Sequence, residues 1–240
     1  MTLEEIINFR RSVRHYKKLS IDEEKVKYCL ELATLAPNSS NMQLWEFYHV
    51  INPEILKKIS VACLNQQSAT TAQQMVVFVT RQDLYRNRAK KMMELEIQNV
   101  LSNSPKEKQE KRIKNWKMYF GRIIPFLYFR FLGVFGIIRK IFVNIIGLFR
   151  PIVYQVSEND MRVVVHKTCA LAAQTFMLAM ANEKYDTCPL EGFDSRKMKS
   201  ILKLPFGAEI NMVVSCGIRV ENGVWGDRMR IPFNEVYRKV

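Results

Sequence analysis

Neither G-x-G-x-x-G nor a Walker A motif occurs in this 240-residue chain, so no standard nucleotide fold announces itself. G-x-S-x-G is missing too, which removes the usual serine hydrolase elbow. The five cysteines (Cys29, Cys63, Cys169, Cys188, Cys216) are scattered, odd in number and free of any C-x-x-C pair. That pattern excludes a zinc knuckle and a disulfide framework and fits a reducing compartment. The three histidines (His15, His49, His166) lack metal-ligand spacing and read as structural or surface groups, so no metal site is expected. Cys188 has no evident base beside it and reads as a packed thiol. Residues 2–5 (Thr-Leu-Glu-Glu) are acidic where a secretory signal would be basic, so the expected location is the cytoplasm. No acidic residue occurs between 119 and 155, and every apolar run there is too short to span a bilayer as a helix.

What is present is positive charge and a sizeable apolar content. Net charge is +14 and 48% of residues are hydrophobic, enough for one large core. The excess charge attracts anions: nucleic acid, a phosphorylated cofactor or anionic lipid. No helix-turn-helix or RNA-recognition signature accompanies it, so nucleic acid is not the expected partner. Capping boxes at Thr2-x-x-Glu5 and Ser20-x-x-Glu23 open two helices, about 3–9 and 21–36. Between them lies Arg10-Arg11-Ser12-Val13-Arg14. If that link is extended, Arg10, Ser12 and Arg14 share a side and form a receptor for phosphate or a carbonyl-rich ring. The bland alternative is a solvated basic loop.

Further along, Ser39-Ser40-Asn41 and Gln43 form a hydrogen-bonding loop before a strand at 46–51. A short amphipathic helix covers 53–63, Asn65 opens a polar stretch, and 75–80 is a buried strand. Residues 84–118 read as polar helix, and 119–155 as an apolar segment broken by arginines and bracketed by Pro125 and Pro151. A long helix from Ser157 to about Glu183 is apolar almost all round, which predicts burial on every side, in the core or at a subunit interface. Helix 195–202 and strand 210–218 follow. Pro189, Leu190, Glu191 and Gly192 offer backbone N–H groups beside a glycine, and Arg228 and Arg230 share one side of the tail.

Four segments in order carry a resemblance. Arg10-Arg11-Ser12-Val13-Arg14, Pro37-Asn38-Ser39-Ser40-Asn41-Met42-Gln43-Leu44-Trp45, Pro189-Leu190-Glu191-Gly192-Phe193-Asp194 and Arg228-x-Arg230 are similar to motifs of the nitroreductase family of FMN-dependent oxidoreductases. The resemblance implies an α+β fold with a mainly antiparallel sheet flanked by helices. It implies a single FMN-binding domain over 1–240, with a hydrophobic helical insertion at about 84–155, and a homodimer with sites at its interface. By the same resemblance Arg10, Ser12, Arg228 and Arg230 hold the flavin phosphate and ribityl chain, and Arg11 belongs to the cofactor-binding set. Arg14 and Asn65 face the pyrimidine edge, where Arg14 stabilises negative charge. Ser39, Ser40 and Asn41 come from the partner subunit, and Gln43 of the same loop is a further cofactor-binding candidate. Pro189, Leu190, Glu191 and Gly192 lie against the ring, with the Glu191 N–H near flavin N5.

The chain departs from the family pattern in two places. Leu44 stands where a proline is usual, and Ser68 where many relatives have lysine. The activity implied is NAD(P)H oxidation with ping-pong transfer to a nitroaromatic, quinone or related small acceptor, the flavin doing the chemistry with no side-chain acid or base. Alternatives on the same fold are reductive dehalogenation or flavin breakdown. From another class comes a flavin-binding membrane-surface protein without NAD(P)H turnover. Residues 119–155 are read as a lid over the site. The competing reading is an interfacial helix on an anionic membrane, with Arg130, Arg139, Lys140 and Arg150 reaching the headgroups.

Overall fold

The computed structural model describes residues 1–240. Its centre is a four-stranded, wholly antiparallel sheet in the order β1-β2-β4-β3, built from β1 (Trp45–Val50), β2 (Gln74–Thr80), β3 (Asp186–Leu190) and β4 (Glu209–Gly217). Alternation along β2 sets the two faces. Val76 and Phe78 point into one cluster, together with Val214 and Cys216 of β4; it is closed by α2 (Glu23–Ala33) and α9 (Glu158–Asn182). Met75, Val77 and Val79 point into the other, closed by α3 (Pro53–Ala62) and α10 (Ser195–Ile201). The fold is therefore α+β, with helices on both faces of the sheet. Every residue of β2 is buried, as a strand covered on both sides requires.

Helix signals behave locally as capping physics dictates. The Thr2 box opens α1 (Leu3–Phe9) and the Ser157 box opens α9. The second helix starts later than its Ser20 signal suggests. Asp22 is the N-cap, accepting the Glu24 N–H at 2.9 Å, and its carboxylate stabilises the positive end of α2. Sequence reading left β3 out of the sheet. It is a five-residue edge strand holding a proline, a residue that sheets tolerate only where no ladder donor is required.

Residues 85–147 fold as helices. They comprise α5 (Tyr85–Asn103), α6 (Lys106–Met118), a π-helical turn (Tyr119–Ile123), α7 (Ile124–Tyr128) and α8 (Val134–Gly147). A third cluster joins Ala89, Met92, Phe120, Ile124 and Tyr128 to Met42, Leu44 and Val165, and so attaches this block to α9. Expected burial of α9 on every side is not met within one chain. Val163, Lys167, Leu171 and Gln174 recur at helical spacing and leave an open stripe.

Arg139 corrects a second expectation. It does not reach outward. It is buried, donating from Nε to the Val156 carbonyl at 2.6 Å and from Nη1 to those of Phe126 at 2.7 Å and Phe129 at 3.0 Å. Three backbone acceptors of a non-helical corner are satisfied by one guanidinium.

Candidate functional site: a cationic cleft at the sheet edge

Residues 10–14 are extended and lie along the outer edge of β3. Ser12 bridges Thr187 in parallel, and Val13 N–H donates to the Thr187 carbonyl at 3.1 Å. Pairing ends after this one bridge, because Pro189 has no N–H to continue it. Tyr16 pins the segment. Its ring fills the space beside Gly217, where a Cβ would meet it at 2.7 Å, and its buried hydroxyl lies 3.0 Å from the Ser215 carbonyl. On the other side Arg14 N–H donates to Gly223 O at 2.7 Å, which draws residues 223–230 alongside.

A cavity of about 280 Å³ opens between these strips. Arg10, Arg11, Ser12 and Arg14 form one wall; Trp225, Arg228 and Arg230 stand in the other. Arg228 donates from Nη2 to the carbonyls of Arg10 at 2.7 Å and Ile7 at 2.9 Å, satisfying the free C-terminal acceptors of α1. Arg219, paired with Asp186, adds the Phe9 carbonyl at 2.9 Å. Arg11 donates to Gly226 O at 2.8 Å, and Gly226 holds a positive φ of 64° that few other residues adopt. The Arg14 guanidinium sits 5.2 Å from the centre of the Trp225 ring.

None of the five arginines around this cavity has a carboxylate partner. The Arg10 guanidinium is pushed below its ordinary range by burial first, then by Arg228 and Arg230. Like charges gathered in a half-buried cleft are costly when empty and favour an anion with several acceptor oxygens. A phosphate monoester fits that demand, so the residues present suit the phosphate end of FMN. At the open end of β3, Gln66 donates to Gly192 O at 2.8 Å and Gln67 contacts His15 Nδ1 at 3.2 Å. Burial pushes the Cys188 thiol up, so it is no nucleophile at neutral pH.

The fold thus brings together Arg10, Arg11, Ser12, Arg14, Arg228 and Arg230, and places Pro189, Leu190, Glu191 and Gly192 at the end of the adjoining strand. Asn65, at φ 53°, directly precedes Gln66 and lines a neighbouring cavity with Leu56, Lys57 and Ser60. Ser39, Ser40, Asn41 and Gln43 precede β1, on the opposite edge of the sheet. That is four strand spacings, about 19 Å, from the arginine segment. There Ser40 Oγ lies 2.7 Å from the Tyr119 hydroxyl, and Gln43 Nε2 donates to the Asn41 side chain at 3.2 Å. Sequence reasoning missed Gln66, Gln67, Trp225 and Gly226. Only the glycine-containing turn at 223–226 hinted at the last of these.

A helix-covered antiparallel sheet carries, at its edge, a cleft in which five arginines outnumber one acid, a setting that suits an anionic ligand. Residues 7–218 match the nitroreductase family, and the chain belongs to that family of flavin oxidoreductases. Protein DrgA of Synechocystis sp. is 25% identical over 226 residues, covering 93% of this chain and 87% of that protein. MhqN of Bacillus subtilis, by name an NAD(P)H nitroreductase, is 20% identical over 213 residues, covering 88% and 86%. The solved structure of ydfN from Bacillus subtilis shares the fold, with a TM-score of 0.74 at 20% identity over 99% of this chain and 98% of that one. So does a protein of Exiguobacterium sibiricum solved in complex with FMN, with a TM-score of 0.69 at 21% identity over 100% and 98%.

Proposed function

We propose that this protein is a homodimeric, FMN-dependent oxidoreductase that passes electrons from NAD(P)H to a small nitroaromatic or quinone-like acceptor. The observation that carries this reading is the convergence of Arg10, Ser12, Arg14, Arg228 and Arg230 on one cleft whose single lining acid, Asp227, forms an ion pair with none of them. Arg10, Arg11, Ser12, Arg228 and Arg230 would hold the phosphate and ribityl chain. Arg14 would place positive charge at the pyrimidine edge, where negative charge gathers on reduction. Asn65 would face the same edge, beside Gln66, which braces Gly192, and Gln67, which contacts His15. Pro189 and Leu190 would pack on the ring, with the Glu191 N–H beside it. FMN, when bound, supplies the hydride-accepting atom and the electron transfer. The chain itself contributes binding, orientation and charge.

Dimerisation is supported by two features. The open stripe of α9 carries Val163 and Leu171, apolar surface that a second copy would cover. The Ser39–Gln43 loop lies too far across its own sheet to reach its own cleft, so a partner's loop would serve it. Protein purified with FMN should be yellow and should oxidise NADH or NADPH when a quinone is added. Arg228→Ala with Arg230→Ala removes two charge-assisted contacts worth about 1.5–3 kcal/mol each, so the FMN Kd should weaken by about 10²–10⁴. Arg230→Ala alone is the control for folding, since the Arg230 side chain bonds only the neighbouring Met229 carbonyl. Unchanged FMN affinity in both variants would overturn the assignment.

A further inference from the structure

Helix α8 is built inside out. Its inward face carries Gly136, Arg139 and Val143, and Gly136 approaches α9 so closely that a Cβ there would meet Glu158 N at 2.8 Å. Its outward half presents Ile137, Ile141, Phe142 and Ile145, with Asn144 as the polar exception, and the turn after it adds Leu148 and Phe149. Leu148 is 80% exposed and Phe149 83%, and Leu132, at the other end of the helix, is 89% exposed. A soluble surface helix shows the reverse arrangement.

Charge on this part of the chain has one sign. Residues 111–157 hold nine Lys and Arg and no Asp or Glu. The carboxylates that approach from neighbouring elements are already engaged. Glu158 accepts the backbone N–H groups of Phe131 and Gly133, Asp160 pairs with Lys140, and Glu209 is held by Arg130, Arg162 and His166. Lys117, Arg122 and Arg150 are exposed and have no partner at all.

We propose that α8 and its flanking loops lie in the interfacial plane of an anionic membrane, apolar face down. At 14 residues the helix is about 21 Å long, short of the roughly 30 Å of a hydrocarbon core, so it rests on a bilayer and does not cross it. An apolar face that ends on the unpaired Arg150, in a segment whose charges are all positive, matches lipid chains beneath anionic headgroups. A second copy of the chain matches it less well. A two-fold contact would set this all-cationic segment against itself, where like charges oppose association.

Flotation through a density gradient tests the assignment. Full-length protein should rise with phosphatidylcholine vesicles containing about one-third phosphatidylglycerol and stay down with phosphatidylcholine alone. High salt should weaken the association. Ile141→Asp with Ile145→Asp changes only exposed side chains and should lower partitioning by at least about tenfold, with the far-UV circular dichroism spectrum unchanged. Arg150→Gln with Arg122→Gln should weaken it without altering the apolar face. Wild-type protein that stays down with both vesicle types, rises equally with both, or rises undiminished after the Ile substitutions overturns the proposal. So does a loss of self-association in lipid-free light scattering when the Ile variant is compared with a wild type that does not float.

Discussion

Glu209 holds the helical block to the sheet, and acid should release it. The residue sits at the start of β4 and accepts from Arg130, ahead of α8, and from Arg162 and His166 of α9. The His166 hydrogen bond first, and then Arg162, draw its carboxyl down from 4.5 to about 2, against the opposing effect of burial. That fall corresponds to about 3 kcal/mol of preference for the ionised form. The side chain is 28% exposed, so solvent screening brings the gain in folding stability to about 2 kcal/mol. The sign follows from linkage. A carboxyl whose folded pKa is depressed stabilises fully above its unfolded value and loses that stability as pH falls through the folded one. The window is therefore about pH 4.5 down to about 2. Glu209→Gln removes the charge and keeps the shape. Urea unfolding at fixed protein concentration should show the variant about 2 kcal/mol less stable at pH 7, a fall of about 4–8 °C in Tm. The gap should shrink by more than half by about pH 3, where the wild type begins to carry the same neutral group. A gap that is absent at pH 7, or constant down to pH 3, would refute the reasoning.

Other expectations are as direct. Arg139→Met strips three buried carbonyls of their donor and should cost about 3 kcal/mol, read as faster proteolysis between 124 and 156. Val163→Asp with Leu171→Asp places charge on the open stripe of α9 and should give monomers in light scattering, with FMN affinity reduced; an unchanged dimer contradicts the interface. Gln66→Ala removes the hydrogen bond that holds Gly192 and should weaken FMN binding several-fold; unchanged affinity by FMN titration would show that the end of β3 needs no such brace. Gly226→Ala meets a positive φ and should cost about 1 kcal/mol and loosen the arginine wall, measured by FMN titration and thermal melting.

Much of this architecture is written in local chemistry, and the exceptions have causes. The capping box at Thr2 marked α1 because a side chain and a backbone N–H three residues apart define a helix start without tertiary help. The alternate spacing of Arg10, Ser12 and Arg14 forecast a common side because an extended segment has period two, and the fold sets these residues in one wall. Residues 65–67 are three polar side chains in a row. Which of them faces the β3 end depends on the positive φ of Leu64 and Asn65, which no pattern of polarity reveals. Helix α8 defeats periodicity in a different way. When nearly every position is apolar, the lone arginine looks like the outward one, and only the unsatisfied carbonyls of Phe126, Phe129 and Val156 draw it inward. β3 escaped notice because its proline and short length match a loop as well as an edge strand.

The cleft's two walls come from opposite ends of the sequence. Arg228 and the Arg10 carbonyl it binds are 218 positions apart. During synthesis, at about 5–20 residues per second, the first wall therefore waits about ten seconds or more for its counterpart. Helix α1 and the arginine segment must meanwhile leave their carbonyls and cations to water. Phosphate capture can only follow closure of that longest loop. Closure of the anion-binding cleft accordingly follows synthesis of the sheet and requires residue 228. A nascent protein stalled before residue 228 would have its sheet strands in hand and no means of keeping a flavin.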